Sequence, residues 1–432
     1  MNNKKKFQHS ATDFYSTLEN HSKDSSPLGI KNQIRHLTFR VVLWCYLVLI
    51  KTAVAYFPKK QIKRDENLEI LVTGTFFSDN WIISLLRPLA LSKRCKRIRM
   101  VSSTPVPIIE KVEPVYPPGT LSKVIGKSPA RIAMFLWVGF KSRPHIIGGL
   151  HLLINGLAAI LLAKLTGTVA LYNCCGGPAE CEGGGVNGEN HLFSKLRRPD
   201  AVVERFLLQA VNASDLVITR GNLAIKYFQE HNIKTQFHVI PGGMDGNKFC
   251  PSRSPAKYDL IIVGNLIPRK RVDIFLHIVS MVHVSHPGIK AVVLGDGPLR
   301  ESLEFKAKEL NLKESVFFAG HQSNVDQWLR LAKIFVLTSE TEGLSQAMIQ
   351  AMLCGLPAVA THVGEAEELI QHGKNGFLIK DMIVDDFVYA INQLIENQTM
   401  LQSFSISARK SAERCDVHFL AKKWDAIFEE LK

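Results

Sequence analysis

Paired cysteines are missing from this chain. Cys45, Cys95, Cys174, Cys175, Cys181, Cys250, Cys354 and Cys415 show no C-x-x-C spacing. That excludes a zinc-ribbon pattern or disulfide framework and predicts free thiols in a reducing compartment. Cys174, Cys175 and Cys181 with His191 lack the spacing of a metal cluster, and no Asp-x-Asp occurs, so no metal is predicted. No G-x-G-x-x-G follows the first strand of either βα series; Gly295-Asp296-Gly297 follows a later strand and lacks the third glycine, which argues against a nicotinamide fold. Zinc-finger spacings, RNA-recognition signatures and basic-aromatic platforms are absent, so no nucleic-acid partner is predicted. Acidic residues are scarce at the start. Residues 1–64 hold twelve Lys/Arg against three Asp/Glu, +9 of the formal net charge of +14. A basic arm on a nearly balanced body predicts an anionic surface near the N-terminus.

At 432 residues the chain is too long for one core, so two domains are expected. Residues 1–33 read as a polar, flexible tail without the apolar core of a signal peptide. The apolar stretch 37–57 follows, whose uncharged run Val41–Ile50 would span only about 15 Å as a helix. Arg35 and Arg40 precede it and Lys59, Lys60, Lys63 and Arg64 follow, so charge gives no orientation. A helix lying in an anionic interface, a span, and a helix packed on the body all stay open. The basic run 93–99 reads as a second contact with that surface or as a solvated loop before a strand.

From Leu68 onward short apolar runs alternate with helical patterns. Strands are predicted at 68–73, 97–103, 144–149, 168–173, 215–219 and 237–243, with one apolar helix over 151–167. A Gly-, Pro- and Ser-rich stretch intervenes, and a second series puts strands at 258–264, 291–295, 315–320, 333–339 and 357–361, with a short edge strand at 377–379. This is the rhythm of two doubly wound parallel sheets facing across a cleft. The expected organisation is 1–64 basic tail and membrane-associating helix, 65–245 first domain, 246–257 linker, 258–415 second domain, and 416–432 a C-terminal helix packing back on the first domain.

Two loops bear chemistry. Arg269, Lys270 and Arg271 follow the first strand of the second series, beside a helix expected from Val272; they suit a pyrophosphate or form a solvated basic turn. Glu340, Glu342, Gly343, Leu344 and Ser345 follow a later strand, with Ser345 capping a helix that carries Gln350 and stops at Gly355. A carboxylate suits sugar hydroxyls, and the N–H groups of 343–345 at a helix start suit phosphate oxygens; an ordinary capped helix with a solvated Glu342 is the plain alternative.

These loops, with HVIPGGMDGNKFCP, LGDGP (294–298) and HGKNGFLI (372–379), resemble the family-4 retaining glycosyltransferases of the GT-B fold over about residues 68–430. The resemblance implies sugar transfer from a nucleoside-diphosphate sugar to a hydroxyl acceptor, a glycan or lipid-linked glycan, with retention and without a cofactor. It places Lys270 on the donor pyrophosphate, with Asn265 where the family has Arg and Arg269 supplying the charge. It places Glu342 at the transferred sugar and Gln350, in place of a second Glu, at the ribose. His151 matches a family His near the reacting carbon; a core His at a helix start is its plain alternative. On the acceptor side Gly74 replaces a multi-glycine turn, and Cys175, Gly176 and Gly177 stand where relatives carry His-Gly. The glycine-rich loop 176–191 reads as an acceptor loop or as a disordered excursion.

With the basic arm, residues 35–64 are expected to meet the membrane surface at its cytoplasmic face. A sugar phosphorylase, a nucleotide-sugar epimerase and a non-catalytic nucleotide-sugar-binding subunit are the rival readings.

Overall fold

The computed structural model describes residues 30–59, 67–76, 78–186, 194–252 and 255–431. The tail 1–29, the basic residues Lys60, Lys63 and Arg64, and the end of the glycine-rich loop with His191 lie outside the described residues.

Helix α1 (Ile30–Tyr56) precedes the first domain, β1 (Leu68–Thr73), α2 (Asp79–Leu91), β2 (Cys95–Val101), β3 (Val112–Val115), α3 (Gly119–Ile125), α4 (Lys127–Ser142), β4 (Ile146–Leu150), α5 (Leu157–Thr166), β5 (Val169–Asn173), α6 (Ala201–Asn212), β6 (Leu216–Thr219), α7 (Asn222–Glu230) and β7 (Gln236–Val239). The second domain runs through β8 (Tyr258–Val263), α8 (Val272–Ser285), β9 (Ala291–Leu294), α9 (Arg300–Glu309), β10 (Val316–Gly320), α10 (Val325–Leu329), β11 (Ala332–Leu337), α11 (Gln346–Leu353), β12 (Ala358–Thr361), β13 (Gly376–Ile379), α12 (Val384–Glu396) and α13 (Gln398–Ala412). Helix α14 (Val417–Glu430) ends the chain.

Each domain is one parallel sheet, ordered β3-β2-β1-β4-β5-β6-β7 and β10-β9-β8-β11-β12-β13. Both orders reverse direction beside their first strand, between β1 and β4 and between β8 and β11. Such switch points leave a crevice at the strand C-termini. The strands are runs of Ile, Leu and Val because helices cover both faces, as at Leu260, Ile261, Val292 and Val293, all fully buried. Helix α14 returns to the first domain, where Trp424 and Phe428 join Leu68, Ile82 and Leu171 in one core, and Asp425 accepts from Ser92 Oγ at 2.6 Å.

Four features differ from the sequence reading. Strand β3 and helices α3, α4 and α6 occupy stretches where no element is expected, because their apolar residues fall in short or interrupted runs. The helix expected over 151–167 starts only at Leu157; His151 (φ 61°) and Ile154 (φ 72°) break the chain before it. The basic run 93–99 is largely paired inside the molecule: Lys96, Arg97 and Arg99 meet Glu69, Arg97 and Arg99 also meet Glu113, and Arg94 donates to the Phe428 carbonyl. Helix α1 begins seven residues before the apolar stretch and buries Leu43, Leu47, Ile50 and Ala53 against the first domain.

Candidate active site

The site residues stand at the two switch points. In the second domain, the turn after β8 is stitched to the turn after β11: Thr338 Oγ1 donates to the carbonyls of Lys270 and Arg271, and Glu340 N donates to the Arg269 carbonyl at 2.9 Å. This brings Lys270 Nζ to 2.5 Å from Glu342 Oε1, with Arg269 Nη1 3.7 Å from Glu342 Oε2. Arg269 also donates to the Thr341 carbonyl. Arg271 is not available as a third anion-binding cation, since Asp273 and Glu340 hold its guanidinium. It sits in the left-handed region at the start of α8.

Ser345 caps α11, its Oγ accepting from Met348 N. Among the described residues, none accepts a hydrogen bond from the backbone N–H of Gly343, Leu344 or Ser345. Gln350 is buried and its Nε2 lies 3.6 Å from Met244 Sδ. Asn265 is exposed beside the β8 turn, where its carbonyl accepts from Ile267 N. Lys270, Arg269, Glu342 and the Gly343–Ser345 turn therefore converge, while Asn265 and Gln350 flank them.

In the first domain, Gly74 leaves β1 in a gap that a Cβ could not occupy, 2.8 Å from the Phe76 ring and 3.0 Å from Leu150 Cβ. His151 leaves β4 beside it, its ring edge-on to Trp81 with centroids 5.3 Å apart. The residue that organises this side is Glu180, which sequence reasoning missed. Its carboxylate is buried and accepts from Leu152 N (2.5 Å), Tyr172 Oη (2.8 Å), Cys175 N (2.9 Å), Gly176 N (2.5 Å) and His151 Nδ1 (3.1 Å). Burial alone would raise its pKa, but the His151 charge and these hydrogen bonds hold it below the ordinary carboxylate range. An ionised Glu180 can only accept, so the proton between the two lies on His151 Nδ1. The start of the glycine-rich loop, through Val186, is thus ordered around Glu180, with Gly177 at φ 67°.

Two further groups had no sequence signal. Arg131 is buried in α4 and reaches Thr73, Thr75 and Asn155 around the β1 and β4 exits; burial lowers its pKa to about 10, so it stays charged at neutral pH. Arg220 donates to Cys175 Sγ at 3.3 Å. Among the described residues, no three His, Cys, Asp or Glu side chains are grouped to hold a metal; Cys174 and Cys181 are buried, and burial pushes both thiols up.

The two halves meet here. A Cβ on Gly343 would lie 3.6 Å from the Cys175 carbonyl, and Gln346 Nε2 donates to Ser84 Oγ at 2.9 Å. Gly364 (φ 55°) lets the next loop press on the turn, where a Cβ would strike the Glu342 and Gly343 carbonyls. Glu365 N then donates to the Gly343 carbonyl, while its side chain accepts from Leu223 N at the start of α7 in the first domain.

Residues 248–411 match the family model described as glycosyl transferases group 1. Over 222 residues the chain is 27% identical to an uncharacterized glycosyltransferase of Haemophilus influenzae, covering 50% of this chain and 62% of that protein. It is 27% identical over 168 residues to the poly(ribitol-phosphate) alpha-N-acetylglucosaminyltransferase of Staphylococcus aureus, covering 38% of this chain and 34% of the relative. The chain thus spans less than two thirds of the length of these relatives. In fold it is similar to the Anabaena protein HepE crystallised with UDP-glucose, with TM-score 0.63 and 18% identity over 83% of this chain and 99% of that one. Sucrose-phosphate synthase from Thermosynechococcus elongatus gives TM-score 0.67 and 16% identity over 84% and 99%. In its second domain the chain is thus similar in sequence to group 1 glycosyltransferases, and along most of its length it has the GT-B fold.

Proposed function

We propose that this protein is a glycosyltransferase that moves a hexosyl group from a nucleoside-diphosphate sugar to a hydroxyl of a lipid-linked glycan, with retention of configuration, at the cytoplasmic face of a membrane. The observation that carries the reading is the convergence of Lys270, Arg269, Glu342 and the Gly343–Ser345 turn opposite His151 and Cys175. Lys270 and Arg269 would hold the donor pyrophosphate, and the N–H groups of 343–345 at the start of α11 would take up charge on the leaving phosphate. Glu342 would hold hydroxyls of the sugar. In the reaction the bond from C1 to the phosphate oxygen breaks, and the acceptor oxygen bonds to C1 from the same face. The acceptor proton passes to the departing phosphate oxygen, and a nucleoside diphosphate leaves. No covalent enzyme nucleophile and no metal is assigned a part.

On the acceptor side, His151 would face the reacting sugar, its ring fixed by Glu180 through Nδ1. Relatives support the reading in kind: one is a UDP-Gal:alpha-D-GlcNAc-diphosphoundecaprenol alpha-1,3-galactosyltransferase from Escherichia coli. The test is a panel of nucleotide sugars, with donor hydrolysis and transfer followed on the purified protein. Transfer supports the proposal; a need for inorganic phosphate would mark a phosphorylase, and binding without turnover a non-catalytic subunit.

A further inference from the structure

Helix α1 has two apolar faces. Leu43, Leu47, Ile50 and Ala53 are buried against the first domain, next to α5 and α6. Ile34, Leu37, Val41, Trp44 and Val48 are exposed and recur at three- and four-residue spacing, one outward stripe on the opposite side. By length and composition α1 could cross a membrane. Its attachments say otherwise. Arg35 donates to the Lys195 carbonyl at 2.7 Å, His36 and Arg40 meet the buried Asp200 carboxylate at 2.6 and 3.0 Å, and Tyr46 Oη donates to the Leu157 carbonyl at 2.9 Å. Lys59, just past the helix, pairs with Asp215 at 3.4 Å. Asp200 is also the cap of α6, accepting from Val202 and Val203 N, so one carboxylate starts α6 and fastens α1. These ties hold a helix of about 40 Å against the body from its first turns to its end. It lies flat.

Charge extends the same face. Helix α5 packs between α1 and α4, and α4 exposes Trp137 and Phe140, with Lys141 Nζ 4.7 Å from the Trp137 ring centroid. Helices α1, α3, α4 and α5 contain no Asp or Glu, while Lys31, Lys51, Lys123, Lys127 and Lys141 are all exposed. A symmetric dimer through this face would set cation against cation. An anionic lipid surface meets both features, taking the apolar stripe into the boundary between headgroups and acyl chains and the lysines to the phosphates.

We infer that α1 and the α3–α4 hairpin form a monotopic docking face for an anionic bilayer, with α1 in the membrane plane. The inference stands apart from the proposed reaction, because vesicle binding needs neither donor nor turnover. The test sediments the full-length protein with phosphatidylcholine vesicles, with and without phosphatidylglycerol. Binding should favour the anionic vesicles and weaken in high salt. Lys31→Ser with Lys51→Ser should lower the partition coefficient about thirtyfold, at about fivefold for each cation near an anionic surface. Val41→Glu with Trp44→Glu should abolish binding while leaving the melting temperature near that of the parent.

Of the eight cysteines only Cys45, beside Trp44, is exposed. An environment-sensitive dye attached there should be quenched by spin labels near the headgroups and not by labels at the bilayer centre. Deep quenching would make α1 a span and overturn the inference. So would equal binding to neutral vesicles, indifference to the stripe variant, or a stable dimer that binds no vesicles.

Discussion

Lys270 Nζ lies 2.5 Å from Glu342 Oε1, an ion pair between two loops 72 residues apart in sequence. In the proposed reaction the pair opens when the donor arrives, because the pyrophosphate claims the ammonium and the sugar hydroxyls claim the carboxylate. The two partners should therefore fail differently. Lys270→Ala should weaken nucleoside-diphosphate binding by about 1.5–3 kcal/mol, the scale of hydrogen bonds to charged groups. Glu342→Gln leaves the cation without its competitor, so donor affinity should hold or rise while turnover falls. Calorimetric titration with steady-state kinetics separates the two. Unchanged affinity in the first variant would remove the pyrophosphate assignment, and intact turnover in the second would remove Glu342 from the reacting centre.

Gln350 tests the proposed ribose contact. It is buried beside Met244, and among the described residues no charged side chain hydrogen-bonds to it. Gln350→Glu places a charge there, so the variant alone should melt lower than the parent. A ribose diol would donate to that carboxylate, so the nucleotide sugar should raise the variant's melting temperature by more than it raises the parent's. An equal or smaller rise would take Gln350 away from the ribose.

Much of this architecture is legible in the sequence because parallel strands buried on both faces must be continuous apolar runs, as in Leu68–Thr73 and Tyr258–Val263. The second-domain loops are legible for a related reason: both follow such strands directly, so their order fixes their place at the sheet edge. What stays hidden depends on contacts between distant segments. Nothing local marks Glu180 as the acceptor for four backbone and side-chain donors as well as His151. Nothing local marks Arg131 as a buried cation, since an arginine in a half-apolar helix usually reads as solvated. The break at 151–156 is masked by Leu152, Leu153 and Ile154, which run on into the apolar pattern of α5. Asn155-Gly156 is its only local sign, and the turn is held by Glu180 and by Asn155, which donates to the Leu150 carbonyl.

Glu180→Gln should be among the most damaging single changes in the first domain. The amide keeps one acceptor oxygen but turns an N–H₂ toward groups that are themselves donors, at a cost of about 3 kcal/mol. The pH dependence follows from a depressed folded-state pKa. The stabilisation from the ionised carboxylate is complete above the unfolded value and is lost as pH falls through the folded one. Thermal melts of the parent should therefore drop in acid, and those of the variant should start lower and drop less. Matching melts at neutral pH would show that the five-donor carboxylate contributes little.

Glu365 behaves in the opposite sense. Burial, with the neighbouring Glu368 and Glu367 charges, pushes its carboxyl above the ordinary range, although it accepts from Leu223 N. A folded-state pKa above the unfolded one means that the native state binds the proton more tightly. Its stabilisation is present below the unfolded value and is lost as pH rises through the folded one. Because the Glu365 N–H holds the Gly343 carbonyl and its side chain reaches α7, this titration acts on the contact between the Gly343–Ser345 turn and the first domain. Glu365→Gln keeps an acceptor for Leu223 and removes the charge. The variant should be as stable as the parent near pH 4 and more stable at pH 7–8, so its melting temperature should climb more steeply across that window than the parent's. A parent whose stability climbs over that window as steeply as the variant's would show that Glu365 is ionised without penalty at the domain contact.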